Sequence, residues 1–180
     1  MLRTIVIALL AGLCLAVPRP APAADAGTID RRVQEALGRL YAAYPSLRPV
    51  VQQANAVLVF PHVYKAGIGI GGDYGEGAML EDGRTSGYYN IVSGSIGFQL
   101  GAQRRAQFFV FTEAGALNQF KATEGWKVGV DGSAVLVTLG TSGNVDTNTL
   151  KAPVLAIVMG EKGLMYNATV EGSKISPIVR

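Results

Sequence analysis

The sequence predicts an α+β fold: N-terminal helices, then a strongly curved, glycine-rich antiparallel sheet or partial barrel with one embedded helix. Apolar residues recur at helical spacing as far as position 44, and from position 56 the chain changes to short segments rich in β-forming residues. Glycine alternates with other residues at Gly67, Gly69 and Gly71 and returns at Gly75 and Gly77. Glycine inside strands is typical of sheets that bend sharply or admit close backbone contact, so these five glycines are predicted to be structural.

The first 23 residues have the pattern of a signal peptide. Arg3 precedes an apolar run over residues 5–17, which is short for a membrane span, and an Ala-x-Ala cleavage site ends at Ala23. We therefore expect residues 1–23 to be removed and residues 24–180 to form one exported domain, periplasmic or secreted, without a cysteine. The alternatives are an uncleaved anchor and lipidation at Cys14, which the large Leu13 before it disfavours.

The charge of the expected mature chain disfavours one class of partner. Loss of Arg3 and Arg19 lowers the formal net charge from +3 to +1. The alkaline pI of the full chain is therefore a weak argument for nucleic acid, and no nucleic-acid partner is predicted.

Two helices are predicted before the sheet. The first covers residues 25–44, with Thr28 as N-cap, and Pro45 ends it because proline disfavours the helical conformation of the preceding residue. A shorter helix follows over residues 46–55, with Pro49 tolerated in its first turn. The apolar stripe of the first helix consists of Ile29, Val33, Ala36, Leu37, Leu40 and Tyr44.

Short strands with one helix among them are predicted for the rest of the chain. The strands before that helix cover residues 56–60, 64–71, 77–80, 85–92, 95–100 and 107–111, and Asp82-Gly83 forms a hairpin turn. The helix covers residues 112–122 with Thr112 as its cap, and its apolar face is Ala116, Leu117 and Phe120. Strands resume over residues 126–130, 133–139, 154–159 and 164–170, and residues 141–151 form a polar loop expected to be mobile.

A glycine motif in the first long strand segment formally matches the dinucleotide fingerprint. The match is Gly67-x-Gly69-x-x-Gly72, but that fingerprint works only where it opens a helix whose N-terminus receives the pyrophosphate. The residues that follow, 73–77, contain two further glycines and do not begin a helix. No nucleotide or other cofactor is therefore predicted.

No catalytic residue is predicted either. His62 is the only histidine, and its preferred interpretation is a partly buried turn residue rather than a general base. A hydrolytic role would need His62 to face a serine and a carboxylate across a pocket. The serines in glycine-rich turns lie outside any Gly-x-Ser-x-Gly nucleophile elbow; they are Ser93, Ser95 and Ser133.

No metal site is predicted. A lone histidine without cysteine cannot anchor structural zinc. An acidic cluster could attract a hard cation, but its spacing matches no calcium loop, and a solvated hairpin is the preferred interpretation. The cluster consists of Asp73, Glu76, Glu81 and Asp82.

The first helix also carries Arg31, Arg32 and Arg39. A basic amphipathic helix can lie on a membrane surface. It can equally be an ordinary helix that packs its apolar stripe on the sheet, with Asp30 and Glu35 balancing the arginines. Periodicity alone favours the second interpretation.

The segment from Phe60 to Gly77, FP-x-V-x-KAG-x-G-x-GG-x-YG-x-G, resembles the signature of the SYLF domain. Similarity to that family continues in order through residues 87–89, 93–103, 126–131, 162–165 and 171–175, and covers residues 29–178 in all. The resemblance implies binding rather than catalysis: family members bind lipid, eukaryotic ones associate with phosphoinositides, and fungal ones also associate with actin.

For this chain the resemblance implies an exported protein with affinity for phospholipid, phosphoinositide-type lipid or a membrane surface. The residues expected to contact lipid are Arg31, Arg32, Arg39 and Lys65. The alternative is a structural or protein-interaction module of the cell envelope, with a protein partner that the sequence does not identify.

Overall fold

A computed structural model of the chain describes residues 24–97, 103–137, 149–160, 163–165 and 170–180. The predicted signal peptide and most of the predicted loop over residues 141–151 lie outside this part of the chain.

The first helix, α1, spans Ala26–Ala43, and Asp25 caps it. The Asp25 carboxylate accepts hydrogen bonds from the main-chain N–H of Thr28 at 2.8 Å and from the Thr28 hydroxyl at 3.1 Å. The prediction of Thr28 as N-cap is therefore wrong, because Asp25 precedes the helix and its side chain satisfies the free main-chain N–H of Thr28 itself. These bonds lower the pKa of the Asp25 carboxyl, the main-chain bond from Thr28 contributing most.

The other helices are shorter than predicted. Helix α2 spans Leu47–Gln52, with Pro49 in its first turn as expected. Helix α3 spans Ala114–Ala122 and begins after Glu113 rather than at Thr112. The Thr112 hydroxyl donates to the Ala152 carbonyl at 2.6 Å. This side chain therefore connects the helix entry to the segment between Lys151 and Val154 instead of capping the helix. A 3₁₀ turn covers Thr149–Lys151.

The strands form one mixed, strongly curled sheet, a half-barrel, which confirms the predicted α+β class. Its order is β4-β8-β2-β1-β3-β6-β5, with β7 paired to β6. All pairs are antiparallel except β5 with β6. The strands are β1 Ala56–Glu81, β2 Arg84–Gly97, β3 Gln103–Phe111, β4 Trp126–Lys127, β5 Val135–Leu136, β6 Val154–Gly160, β7 Gly163–Leu164 and β8 Lys174–Ile178.

Strand β1 is continuous where the sequence predicts separate segments. Pro61 and His62 lie at a bulge, since the pairing of β1 with β3 shifts register between Phe60 and Val63, and a bulge tolerates the missing N–H of proline. The predicted turn at Asp82-Gly83 is present, and both residues have positive φ, 50° and 76°.

Strand β1 also folds back on itself. A straight strand would separate residues 62 and 75 by roughly 40 Å, yet a Cβ placed on Gly75 would lie 2.8 Å from the main-chain oxygen of His62. A Cβ on Gly77 would collide with the main-chain carbonyl of Val59. The two halves of the strand can approach this closely only because Gly75 and Gly77 carry no side chain.

Both faces of the sheet are buried. Helices α1 and α2 cover one face, where the core includes Leu40, Val59 and Phe108. Helix α3 and the segment around Trp126 cover the other, where Phe60, Phe109 and Phe120 are buried. Strands covered on both faces have continuous apolar runs, as in residues 57–60, 108–111 and 154–158.

Candidate functional site

Helix α1 packs its apolar stripe on the sheet rather than leaving it free. The five residues from Ile29 to Leu40 that form the buried face of α1 are at most 6% exposed. The helix therefore has no apolar face available to insert into a bilayer. Its arginines remain at the surface, with Arg31 and Arg39 exposed and Arg32 half-buried. Any contact of α1 with a membrane must then be made by polar side chains.

Arg39 lines a cleft of about 380 Å³ between α1 and the start of β3, which we call the basic cleft. Three further polar side chains line it: His62 from the bulge of β1, and Arg104 and Arg105 from β3. Helix packing places Arg39 here, and the pairing of Tyr64 with Arg104 across β1 and β3 places Arg104 here. The basic cleft thus collects cationic groups from separate elements of the fold.

Arg32 lines a neighbouring cleft of about 500 Å³, on the other side of His62, which we call the tyrosine cleft. Tyr64 and Tyr74 form part of its wall and are 52% and 48% exposed. A tyrosine ring combines an apolar body with a polar tip, a combination suited to the boundary between water and lipid. The two clefts share Pro61 and His62 in their linings, so the cations and the exposed aromatic rings lie in adjoining clefts.

His62 separates the two clefts. Its Nδ1 atom is buried and, within the described part of the chain, makes no hydrogen bond. Burial lowers the pKa of His62, and the positive charges of Arg104, Arg32 and Arg39 lower it further, while Glu35 opposes them. His62 is therefore neutral at pH 7 and lies in a positive electrostatic potential.

Arg105 differs from the other two arginines that line the basic cleft because its charge is compensated. It forms a buried ion pair with Asp73, whose side chain is 5% exposed. The Ser93 hydroxyl donates to the same carboxylate at 3.1 Å. With its side-chain amide in the orientation that gives both amide atoms a partner, Gln107 accepts through its oxygen from Arg105 Nε at 2.9 Å. This network holds Arg105 in place and leaves Arg39 and Arg104 as the uncompensated cations of the basic cleft.

The prediction that the acidic cluster is a solvated hairpin is wrong. Asp73 is buried, the Glu76 carboxylate is bonded to Arg180 at 2.6 Å, and the Glu81 carboxylate is bonded to Lys121 at 2.7 Å. The carboxylates are thus dispersed into separate ion pairs, and only Asp82 lies in the exposed turn.

Two of the residues predicted to contact lipid lie apart from the clefts. Arg31 is paired with Glu35 at 2.9 Å on the exposed surface of α1, so its charge is balanced locally. Lys65 is half-buried on β1, its main chain paired with Gln103, and it lines neither cleft. A lipid contact by Arg31 or Lys65 stays a prediction.

For the alternating glycines the structure gives the strand and the main-chain pairing. Gly67, Gly69 and Gly71 lie in β1, where the main chain of Gly69 pairs with that of Gly97 and Gly71 with Ser95. The close approach described above is made by the two other glycines predicted to be structural, Gly75 and Gly77.

Sequence reasoning missed Arg104, Tyr64 and Tyr74 as members of the site. Strand β3 begins at Gln103, four residues before the apolar run that identified it. The sequence does contain a signal for Arg104. Arg104 and Arg105 come shortly before the apolar run that predicts a buried strand, and residues at the start of a strand lie at an end of the sheet. The partner of that position across β1 cannot be known without the register.

The described residues do not assemble a hydrolytic triad or a metal site. Within the described ranges His62 bonds to neither a serine nor a carboxylate, and no serine lines either cleft. No group of three or more His, Cys, Asp or Glu side chains in that part of the chain is placed to hold a metal ion. None of the described helices combines the length and apolar character needed to cross a membrane.

The C-terminal half of the chain is similar to a known family. The model of the family Ysc84, described as Las17-binding protein actin regulator, matches residues 92–178. This segment contains Arg104 and Arg105, whereas α1 and the β1 residues of both clefts precede it. No curated protein matches the sequence.

Proposed function

Because this chain belongs to the SYLF-domain (Ysc84) family, as the match over residues 92–178 shows, we propose that it is a non-enzymatic lipid-binding module that docks peripherally on anionic membranes. The family is one of binding domains, known for lipid and actin binding. The observation that carries the proposal is the joint placement of Arg32, Arg39 and Arg104 beside two exposed tyrosines.

Electrostatic attraction supplies the first part of the binding. Within the described residues Arg32, Arg39 and Arg104 form no ion pair, in contrast to Arg31 and Arg105. A basic side chain near an anionic membrane surface contributes about 1 kcal/mol. Three such side chains give weak binding that decreases as salt is added, since salt screens exposed charges.

The exposed tyrosines supply the second part. Tyr64 and Tyr74 lie in the wall of the cleft that also contains Arg32. Their rings can occupy the headgroup layer while the arginines contact phosphate groups, because tyrosine prefers the membrane–water boundary. Binding is then superficial, which fits a helix α1 whose apolar stripe is already buried in the core.

We also propose that the protein works outside the cytoplasm, with residues 24–180 as the mature domain. The support is the signal-peptide pattern of residues 1–23, in which an apolar run is followed by an Ala-x-Ala site. N-terminal sequencing of the protein recovered from its host tests this: the first residue should be Ala24.

Vesicle co-sedimentation tests the lipid-binding proposal. The purified protein is mixed with vesicles of phosphatidylcholine alone, or of phosphatidylcholine with phosphatidylglycerol, at low and high salt. We expect pelleting with the anionic vesicles, reduced by salt, and little with the neutral ones. Absence of pelleting with both compositions would contradict the proposal.

A protein-interaction module of the cell envelope is the second candidate. It is favoured by the family description, which names a protein that binds another protein. Affinity capture from envelope extracts, followed by native mass spectrometry, separates the two. A single stoichiometric protein partner without lipid favours the interaction module, and co-purified phospholipid favours lipid binding.

A further inference from the structure

We propose that the basic cleft binds one tetrahedral dianion, such as the phosphate group of a phosphomonoester, and that this binding is coupled to protonation of His62. The inference deepens the lipid binding proposed above and rests on it only for the source of the phosphate, which is either a lipid headgroup or a soluble molecule. The site itself consists of three side chains that line the cleft, Arg39, His62 and Arg104.

The donors of the cleft come from three separate elements. Arg39 lies toward the C-terminal end of α1, His62 at the bulge of β1, and Arg104 at the start of β3. All three line the same cleft. Donors fixed on different elements can surround a ligand, and arginine can bind two phosphate oxygens at once through its planar guanidinium group.

The charge of the cleft is uncompensated. Its described lining contains no aspartate or glutamate. Arg105 also lines it, but its charge is paired with buried Asp73. Arg39 and Arg104 have no such partner among the described residues. A dianion would therefore neutralise two positive charges that otherwise repel each other and disfavour the protonated form of His62.

The size of the cleft admits more than a bare ion. Its volume of about 380 Å³ corresponds to roughly a dozen water molecules at about 30 Å³ each. A phosphate group with an attached ester can therefore enter while some water remains.

His62 couples the site to pH. Nδ1 is enclosed without a partner, whereas Nε2 is not enclosed and, within the described residues, makes no hydrogen bond, so Nε2 is the atom that a ligand can reach. A dianion beside the ring favours the charged imidazolium and raises the pKa of His62. By reciprocity, the protonated protein binds the dianion more tightly. The ionisable groups around the ring are Arg32, Glu35 and Arg39 of α1, Arg104 and the Asp73-paired Arg105 of β3, and Asp25, Tyr64, Tyr74 and Glu76 across the tyrosine cleft.

Sulfate is the first probe, because its charge stays constant across the range in which histidine titrates. The chain has a single histidine, so proton NMR of the untagged protein follows His62 without assignment. We expect saturating sulfate to raise the pKa of His62 by about one unit, so that the ion binds roughly tenfold more tightly to the protonated form. An unchanged pKa would overturn the inference.

Three single variants locate the effect. Arg39→Gln and Arg104→Gln should each remove most of the sulfate-induced change in the pKa of His62. Both side chains are exposed, so the fold should be retained, and unfolding midpoints check this. Arg84→Gln is the matched control: Arg84 is exposed at the hairpin turn, and its loss should leave the response intact. An equal loss in all three variants would indicate nonspecific screening and would overturn the site.

A second set of probes distinguishes the source of the phosphate. Glycerol 3-phosphate represents a soluble phosphomonoester, and vesicles with phosphatidic acid or phosphatidylglycerol, at equal mole fraction, present a phosphomonoester or a phosphodiester lipid. Tighter binding to phosphatidic acid, lost in Arg39→Gln, supports a headgroup. A His62 response to glycerol 3-phosphate without a preference between the lipids supports a soluble ligand.

The failures of the two proposals can also be told apart. Equal binding to both anionic lipids without any response of His62 to the soluble anions overturns the cleft while lipid binding stands. A response of His62 to sulfate without vesicle binding supports the cleft and overturns the lipid-binding function.

Discussion

Gly77 lies directly against the main-chain carbonyl of Val59, although both residues belong to the same strand. The contact joins the two halves of β1, and Gly75 makes a similar contact with His62. The second half of β1, at Gly75, therefore packs against the bulge that carries His62. This fold-back sets the position of His62 between the two clefts.

Replacing Gly77 by alanine should destabilise the protein strongly. The new Cβ would overlap main-chain atoms, which cannot rotate away, and we expect a loss of about 3 kcal/mol or more in the free energy of unfolding. Urea unfolding followed by the fluorescence of the single tryptophan, Trp126, measures this.

Gly94→Ala is the matched control, because Gly94 lies on β2 and, apart from its chain neighbours, no atom of the described residues comes within 4 Å of its Cβ position. Its effect should stay within about 0.5 kcal/mol. Similar stabilities for Gly77→Ala and Gly94→Ala would contradict the fold-back of β1.

Removing one partner of the buried ion pair should cost more than removing both. Arg105→Met leaves the Asp73 carboxylate buried and uncompensated, and such losses typically amount to about 3–5 kcal/mol. The double variant Asp73→Asn with Arg105→Met removes both charges and should recover part of that loss.

The same urea titrations compare Arg105→Met, Asp73→Asn and the double variant. If the effects of the two single substitutions simply add in the double variant, Asp73 is not coupled to Arg105.

His62 should make the protein less stable in mild acid. Its folded-state pKa is lowered below the ordinary value, so the unfolded chain binds more protons as the pH falls through about 6.5. Stability is then lost on acidification in this range, before the carboxylates titrate. His62→Gln should show a smaller loss between about pH 7.5 and 5.5. Equal losses for the two proteins would mean that His62 titrates normally.

The sequence predicted those parts of the fold that depend on short-range patterns. The buried apolar face of α1 follows from the three- and four-residue spacing of its apolar side chains. The turn at Asp82-Gly83 follows from two residues that tolerate positive φ. Strand β8 was missed because it is short and contains Pro177, and its partners β2 and β4 are distant in the chain. Strand pairing at long range has no local signature.

The candidate site was predictable only in part for the same reason. Arg32 and Arg39 stand out because they share a helix with an apolar stripe. Arg104 joins them through the register of β3 on β1, which a single sequence does not determine. Asp73 lies in an acidic cluster in the sequence, yet its partner Arg105 is on another strand, so burial and neutralisation could not be foreseen.

Under the proposed function, the clustered cations rather than the total charge hold the protein on an anionic membrane. The most direct measurement compares the affinities of two triple variants for vesicles containing phosphatidylglycerol. One is Arg32→Gln, Arg39→Gln and Arg104→Gln, which removes from the two clefts the arginines that form no ion pair among the described residues. The other removes the same charge from exposed sites elsewhere, Arg48→Gln, Arg84→Gln and Lys127→Gln.

At about 1 kcal/mol per cation, the cleft variant should bind roughly 100-fold more weakly than the unmodified protein, and the control variant should bind nearly as well as it. Equal weakening in the two variants would contradict the account, because binding would then follow net charge and not the clefts.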